Sequence, residues 1–356
     1  MDEDVVTTLV GAVTGLVIAV VSSLLIPMFI KRQEQIEEKR DIYEKYAQPL
    51  GADAANLLWR LNEILFDQRA HYLREDAPPT PFNEYKVIST CYRIAVLLGW
   101  IRAIRLEQSY LLFGDSATFD NIRDAVCRLE IALADSPPVE IEAMKSLARV
   151  WNIDVPNDPE SAKRIAAQVN AELQHFLSKF DLTRYQQFAE LGESQGREVA
   201  RRAADVMARE VGVPTPADAR LQETWQEALR CISVKQAWIY REWQQAIGNL
   251  MIREIGGAIR RFDIIGYGEF EAMVRDPKMD KNEPLTLLRH MIVGIDVNQA
   301  VSTDYRVTQL RLVANAVASL VCAIETMELQ RRIVDKTTCE MARKFLREIP
   351  ESAPAT

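Results

Sequence analysis

Histidine is scarce in this chain, with three residues in 356, and cysteine is hardly commoner, with five and no CxxC pair. His71, His175 and His290 fall on separate predicted helices and form no HExxH or Cys/His pattern, so no metal site is expected. Cys91, Cys127, Cys231, Cys322 and Cys339 are odd in number, widely spaced and mostly set in apolar helical stretches. That is how buried thiols are used in a reducing compartment, and it is unlike a disulfide framework. No G-x-x-x-x-G-K-[ST] spacing occurs, and Ile255-Gly256-Gly257-Ala258 lacks the lysine of a phosphate loop. Basic charge is short too: 43 Lys and Arg stand against 51 Asp and Glu, a net charge of −8. An acidic chain is poorly built to neutralise phosphates, which argues against nucleic acid as a partner. These patterns assign no catalytic residue and no cofactor.

What the chain does have is one long apolar run, Val5 to Ile30, 26 residues without a charge. As a helix it would be roughly 39 Å long, enough to cross a ~30 Å hydrocarbon core with some tilt. A secretory signal would start basic, run shorter and end in a cleavage site. Here the start is acidic (Asp2, Glu3, Asp4) and the end is Pro27-Met28-Phe29-Ile30-Lys31-Arg32. Basic residues follow the run at Lys31, Arg32, Lys39 and Arg40, and none precede it. The positive-inside rule then puts the N-terminus outside and the rest of the chain in the cytoplasm, at an inner (plasma) membrane. Within the run, Thr7, Gly11, Gly15, Ala19 and Ser23 recur every four residues. Small side chains at that step let helix backbones approach, so they are the candidate self-association face and a homo-oligomer is expected. Small residues are also common in membrane helices without any such role.

The 326 residues from Lys31 onward read as helices. A charged stalk over 31–50 leads into a helical cytosolic domain over 51–349, with sub-boundaries near 135–158 and 212–216 and a disordered tail at 350–356. Apolar stripes mark each helix: Leu57, Leu58, Leu61 and Ile64; then Ile94, Leu97, Leu98, Ile101 and Ile104. Asp158-Pro159 is a cap followed by a first-turn proline. The stripe Leu221, Trp225, Leu229, Ile232, Ile239, Trp243, Ile247 and Leu250 predicts one spine helix of about 35 residues. The period fails only over Arg253 to Phe270, where Gly256-Gly257 between short β-prone runs predicts a hairpin near 252–265. From Thr303 to about Val334 the pattern is helical again. The fold expected is all-α: a transmembrane helix, then a multi-helix bundle carrying one small hairpin.

Several segments resemble a group of uncharacterised bacterial proteins with an N-terminal membrane helix and a helical cytosolic body. They are Tyr46 to Leu50, Leu57 to Leu65, Ser89 to Tyr92, Leu98 to Trp100, Gln245 to Ile252, Ile265 to Phe270, and Leu310 to Val313 with Leu320-Val321. The resemblance spans about residues 42–335 in scattered short matches. It implies the same architecture and carries no activity or site residue with it.

Outside the run, the candidate binding element is the irregular bend, where Arg260, Arg261, Asp263, Tyr267 and Glu269 crowd together. Irregular elements on rigid scaffolds often carry binding residues, although solvated strand ends would look the same. The expected function is positional: a single-pass anchored scaffold, sensor or effector acting through protein contacts and self-association at the lipid bilayer. An enzyme or ligand sensor with a pocket near the hairpin is the alternative, and a membrane-disrupting defence effector is a third.

Overall fold

The computed structural model describes residues 26–108, 117–134, 137–156, 158–180, 191–232, 238–256, 260–276, 283–297, 304–325 and 333–349. Most of the apolar run, including Thr7, Gly11, Gly15, Ala19 and Ser23, lies outside the described residues, as does the tail at 350–356. The described chain forms twelve α-helices and one antiparallel ribbon, so the fold is all-α with a small hairpin.

Helix α1 (Ile26–Leu65) is one continuous element of 40 residues. An interior proline removes a backbone hydrogen bond and costs about 3 kcal/mol, yet Pro49 does not end this helix. Burial compensates: Tyr46, Leu50, Leu57, Leu58, Leu61 and Ile64 are all buried, each apolar side chain contributing about 1.5–3 kcal/mol. Buried Tyr46, Ala47 and Leu50 show that the body begins to close around α1 before residue 51. Helix α2 (Pro81–Gln108) packs antiparallel on α1. Lys86 pairs with Glu63 at 3.0 Å near one end, and Trp100 Nε1 donates to Asp53 at 2.8 Å near the other.

Helix α3 (Ala117–Leu133) lies against α11 (Tyr305–Glu325), which also touches α1. Among the described residues, two segments, within α2 and α11, are long and apolar enough to cross a membrane, but 83% and 78% of their apolar windows are buried in protein. A helix that is apolar all round belongs in a core, and these two form it. The last helix, α12 (Lys336–Glu348), was not signalled by the stripes that mark its neighbours. Its start is a capped one: Asp335 accepts from Thr338 N at 3.0 Å and from its hydroxyl at 2.6 Å. Cys339, Met341, Ala342 and Phe345 face inward, and Phe345 meets Phe66 edge-on at 4.8 Å.

Helices α4 (Pro137–Trp151), α5 (Pro159–Leu177), α6 (Glu193–Val211) and α7 (Asp218–Ile232) enclose a second apolar cluster of their own. Asp158 caps α5, accepting from Ser161 N at 2.8 Å, as its Asp-Pro start predicts. Gly212, at φ +81°, ends α6 in the left-handed conformation that glycine adopts without strain. The Gly212 to Pro216 break therefore lies inside this cluster, between two of its helices.

The predicted spine helix is two helices. Helix α7 is described as far as Ile232, Trp238 to Tyr240 are non-helical, and α8 (Arg241–Met251) follows them. Tertiary pairing overrides the local stripe here: Ile239 N donates to Leu133 O at 2.8 Å, taking up a carbonyl at the end of α3. Trp238 packs against Ala143 of α4 and Leu312 of α11 in a small apolar cluster of its own.

Gly248, a weak point for helix propensity, marks a close crossing of α8 over α2. A Cβ there would lie 2.8 Å from the Leu98 carbonyl oxygen and 2.7 Å from Arg102 Cβ. Gly248→Ala should therefore cost about 1–3 kcal/mol despite its better helix propensity. Urea denaturation measures this, and an unchanged midpoint would reject the tight crossing.

Candidate functional site

The ribbon follows directly on α8. Strand β1 (Ile252–Glu254) pairs with β2 (Phe262–Ile264), Arg253 opposite Asp263, and Ile255 N donates to Arg261 O at 2.8 Å. The hairpin is where the sequence puts it, but the connection is longer than a two-residue turn at Gly256-Gly257, and Gly257 lies outside the described residues. Gly266 then caps α9 (Tyr267–Arg275).

Two short strands cannot hold themselves together in water, so the ribbon is fastened to the helices beneath it. The Tyr46 hydroxyl of α1 accepts from Phe262 N at 3.2 Å, and Tyr92 of α2 donates to Ile265 O at 3.0 Å. The Arg260 guanidinium lies 5.3 Å from the Trp100 ring centroid, and Trp100 meets Tyr46 edge-on at 5.9 Å. A cation over an indole face in a partly buried setting contributes about 1 kcal/mol.

The structure does not gather the five bend residues into one site. Arg260 pairs with Asp263 at 3.0 Å, Arg261 with Glu254 at 2.8 Å, and Glu269 with Arg253. Tyr267 sits in an aromatic row, 5.8 Å from Tyr85 and 5.5 Å from Tyr92. Each of these charges is answered locally, and such exposed pairs contribute little.

A cavity of about 450 Å³ opens between α2, α9 and α10 (Glu283–Ile292). Its deep wall is apolar, built from Val87, Ile88, Cys91 and Leu285, with Met273 and Val274 flanking it. Its rim is charged: Arg289 grips Glu84 through both guanidinium nitrogens at 2.7 and 3.1 Å, and Arg275 stands alongside. The Arg289 hydrogen bonds hold the Glu84 carboxyl below its ordinary range, and Glu84 in turn raises the guanidinium. Burial pushes the Cys91 thiol up to about 12, so it is neutral near pH 7 and no nucleophile. The arrangement suits binding better than proton or acyl transfer. On α2, Glu84, Val87, Ile88 and Cys91 follow helical spacing and share a face, but nothing in the sequence says that two short helices leave a gap above it.

No protein-family model, curated protein or solved structure matches the chain. That agrees with a resemblance that carries no activity.

Two spacings in the sequence invite chemistry that their surroundings do not supply. Gly192-Glu193-Ser194-Gln195-Gly196 spells G-x-S-x-G, the pattern of a strained strand-to-helix nucleophile elbow. Here Gly192 caps α6 and Ser194 is exposed in its first turn, while Gly196 seats the Trp225 ring, 2.6 Å from where a Cβ would be. Glu172 and His175 form a Glu-x-x-His spacing on α5, but Glu172 accepts from Arg202 at 2.8 Å and His175 is exposed. Among the described residues, no group of three or more His, Cys, Asp or Glu is placed to hold a metal ion.

The brace at Tyr46 makes a pH prediction. Burial and then the Glu107 carboxylate raise the Tyr46 phenol, and burial also raises Tyr72, Tyr92 and Tyr267. Below about pH 10 the folded and unfolded phenols are both protonated and the difference costs nothing. Above it the unfolded chain releases protons that the folded one keeps, so stability falls as pH rises. Tyr46→Phe should cost about 1–3 kcal/mol at neutral pH, because Phe262 N–H loses its acceptor, and should make the alkaline decline shallower. Denaturant titrations on either side of pH 10 test this, and equal alkaline slopes would acquit Tyr46.

Proposed function

We propose that this protein is a single-pass, membrane-anchored helical body, its N-terminus outside and its bulk beneath an inner (plasma) membrane. It acts as a scaffold, sensor or effector through protein contacts and self-association. The observation that carries the reading is α1. From Ile26, inside the apolar run, it continues without a break to Leu65 in the core. Anchor and body would then be one rod, so pairing of anchors would fix the spacing and rotation of the bodies below. Confinement raises the effective concentration for a second contact between them. The basic residues after the run, the five cysteines without a disulfide and the four-residue step of small side chains support orientation, compartment and pairing in turn.

The cavity between α2, α9 and α10 favours a second reading, in which the body responds to a small molecule. A membrane-disrupting effector rests on the small-residue stripe and the domain layout, and loss of membrane potential on expression would be its sign.

The full-length chain should stay with membranes after an alkaline carbonate wash. Gly11→Ile with Gly15→Ile should lower its oligomer size in detergent. A chain that is monodisperse in plain buffer would overturn the anchor, and an unchanged size in the double variant would overturn the pairing face.

A further inference from the structure

The two guanidiniums at the cavity each hold a carboxylate, and one of those pairs is exposed enough to exchange. The cavity lining carries two guanidiniums, Arg275 and Arg289, against the single carboxylate of Glu84. Apart from Thr286 the rest of its lining is apolar, and its volume of about 450 Å³ falls in the range of small-molecule sites. Glu84 takes both Arg289 nitrogens head-on, which is how a bound carboxylate would also be held. Arg275 is half exposed and leans on Glu271 of its own helix at 3.0 Å, a pair weak enough to exchange. The rim therefore offers one forked cation already matched to a carboxylate and a second within reach. Below it there is room only for an apolar body.

We propose that the cavity between α2, α9 and α10 binds a small organic monoanion, its carboxylate at Arg275 and Arg289 and its apolar part against Val87, Ile88 and Leu285. This rests on the second reading above, a body that responds to a small molecule, and needs no membrane. In this arrangement Glu84 is a resident competitor: it holds Arg289 in place while the cavity is vacant and yields part of that guanidinium when the anion enters. Cys91, neutral and buried in the cavity wall, takes no chemical part.

Hexanoate is the probe, added to the full-length protein in lipid nanodiscs so that no detergent tail competes. Isothermal titration of hexanoate into the loaded nanodiscs, with empty nanodiscs as the blank, should show saturable binding at one site per chain. Hexanamide and hexylamine, which match its length without the negative charge, should show none. Arg275→Gln should weaken hexanoate by about threefold, the worth of one half-exposed charge. Glu84→Gln should instead tighten it, because the competing charge is gone. A residue that merely supported the fold would not move affinity in that direction. Val87→Phe, which fills the apolar wall, should abolish the binding while leaving the helical circular dichroism intact. The proposal is overturned if hexanoate shows no saturable binding, if hexanamide binds equally, or if Glu84→Gln binds no tighter than the parent. If Val87→Phe misfolds, the opposite shifts of Arg275→Gln and Glu84→Gln still decide. A chain that resists carbonate extraction yet ignores hexanoate would refute this site and leave the anchored reading standing.

Discussion

A buried helix end sets much of the architecture. The last turn of α3 points its carbonyls into protein, where an unpaired one costs about 1–3 kcal/mol. Three remote segments answer them. Ile239 N donates to Leu133 O at 2.8 Å, Gln309 Nε2 to Leu133 O at 3.2 Å, and Gln244 Nε2 to Glu130 O at 2.9 Å. Gln244 also reaches back to Ile239 O at 2.7 Å, so the segment that breaks the helical run is held at both ends. Arg105 closes the group from α2, donating to Glu130 at 2.8 Å. Once Ile239 is pinned, Trp238 is carried against Ala143 and Leu312, and α8 must start at Arg241 and cross α2 at Gly248. The ribbon then falls where α8 runs out.

From there the ribbon meets α1. Tyr46 is 16 residues beyond the end of the apolar run at Ile30, about 24 Å along a helix. Its hydroxyl, the Trp100 ring and the Arg260 guanidinium form one chain of contacts from α1 to β2. The bend that the sequence offers as a binding element is thus the place where the body takes hold of its entering helix. The cavity lies farther along α2, toward the end that faces Glu63.

The helical class was legible because amphipathic stripes report burial directly, and Asp158-Pro159 and Gly212 punctuate them as isolated signals should. The failures share a cause in long-range contacts. Ile239 lies on a perfect stripe with Leu229 and Trp243, yet Leu133, more than a hundred residues away, decides its conformation. Helix α12 hides its inward face among lysines, arginines and glutamates, so Cys339, Ala342 and Phe345 do not read as a stripe at a glance. The bend residues were recognisable as polar and irregular, but their pairing with one another and with Arg253 and Glu254 depends on strand register. The cavity had no local signature at all, because it is the space left between three elements, and only one of its faces is periodic in the sequence.

The two apolar clusters differ in how far apart along the chain their members lie, and this sets an order of events during synthesis. The α4 to α7 cluster is drawn from one stretch, residues 144–232, so everything it needs emerges from the ribosome ahead of α8. The other cluster must wait. Gly51 is covered by Ile324, Ile333 and Val334, and Trp59 finds its acceptor at Thr338, 279 residues later. Until those helices emerge, α1 lacks part of its cover, and long-range closures of this kind are slow and prone to wrong partners. The interior lobe is thus a finished folding unit while the N-terminal half of the larger core is still waiting for the last residues of the chain.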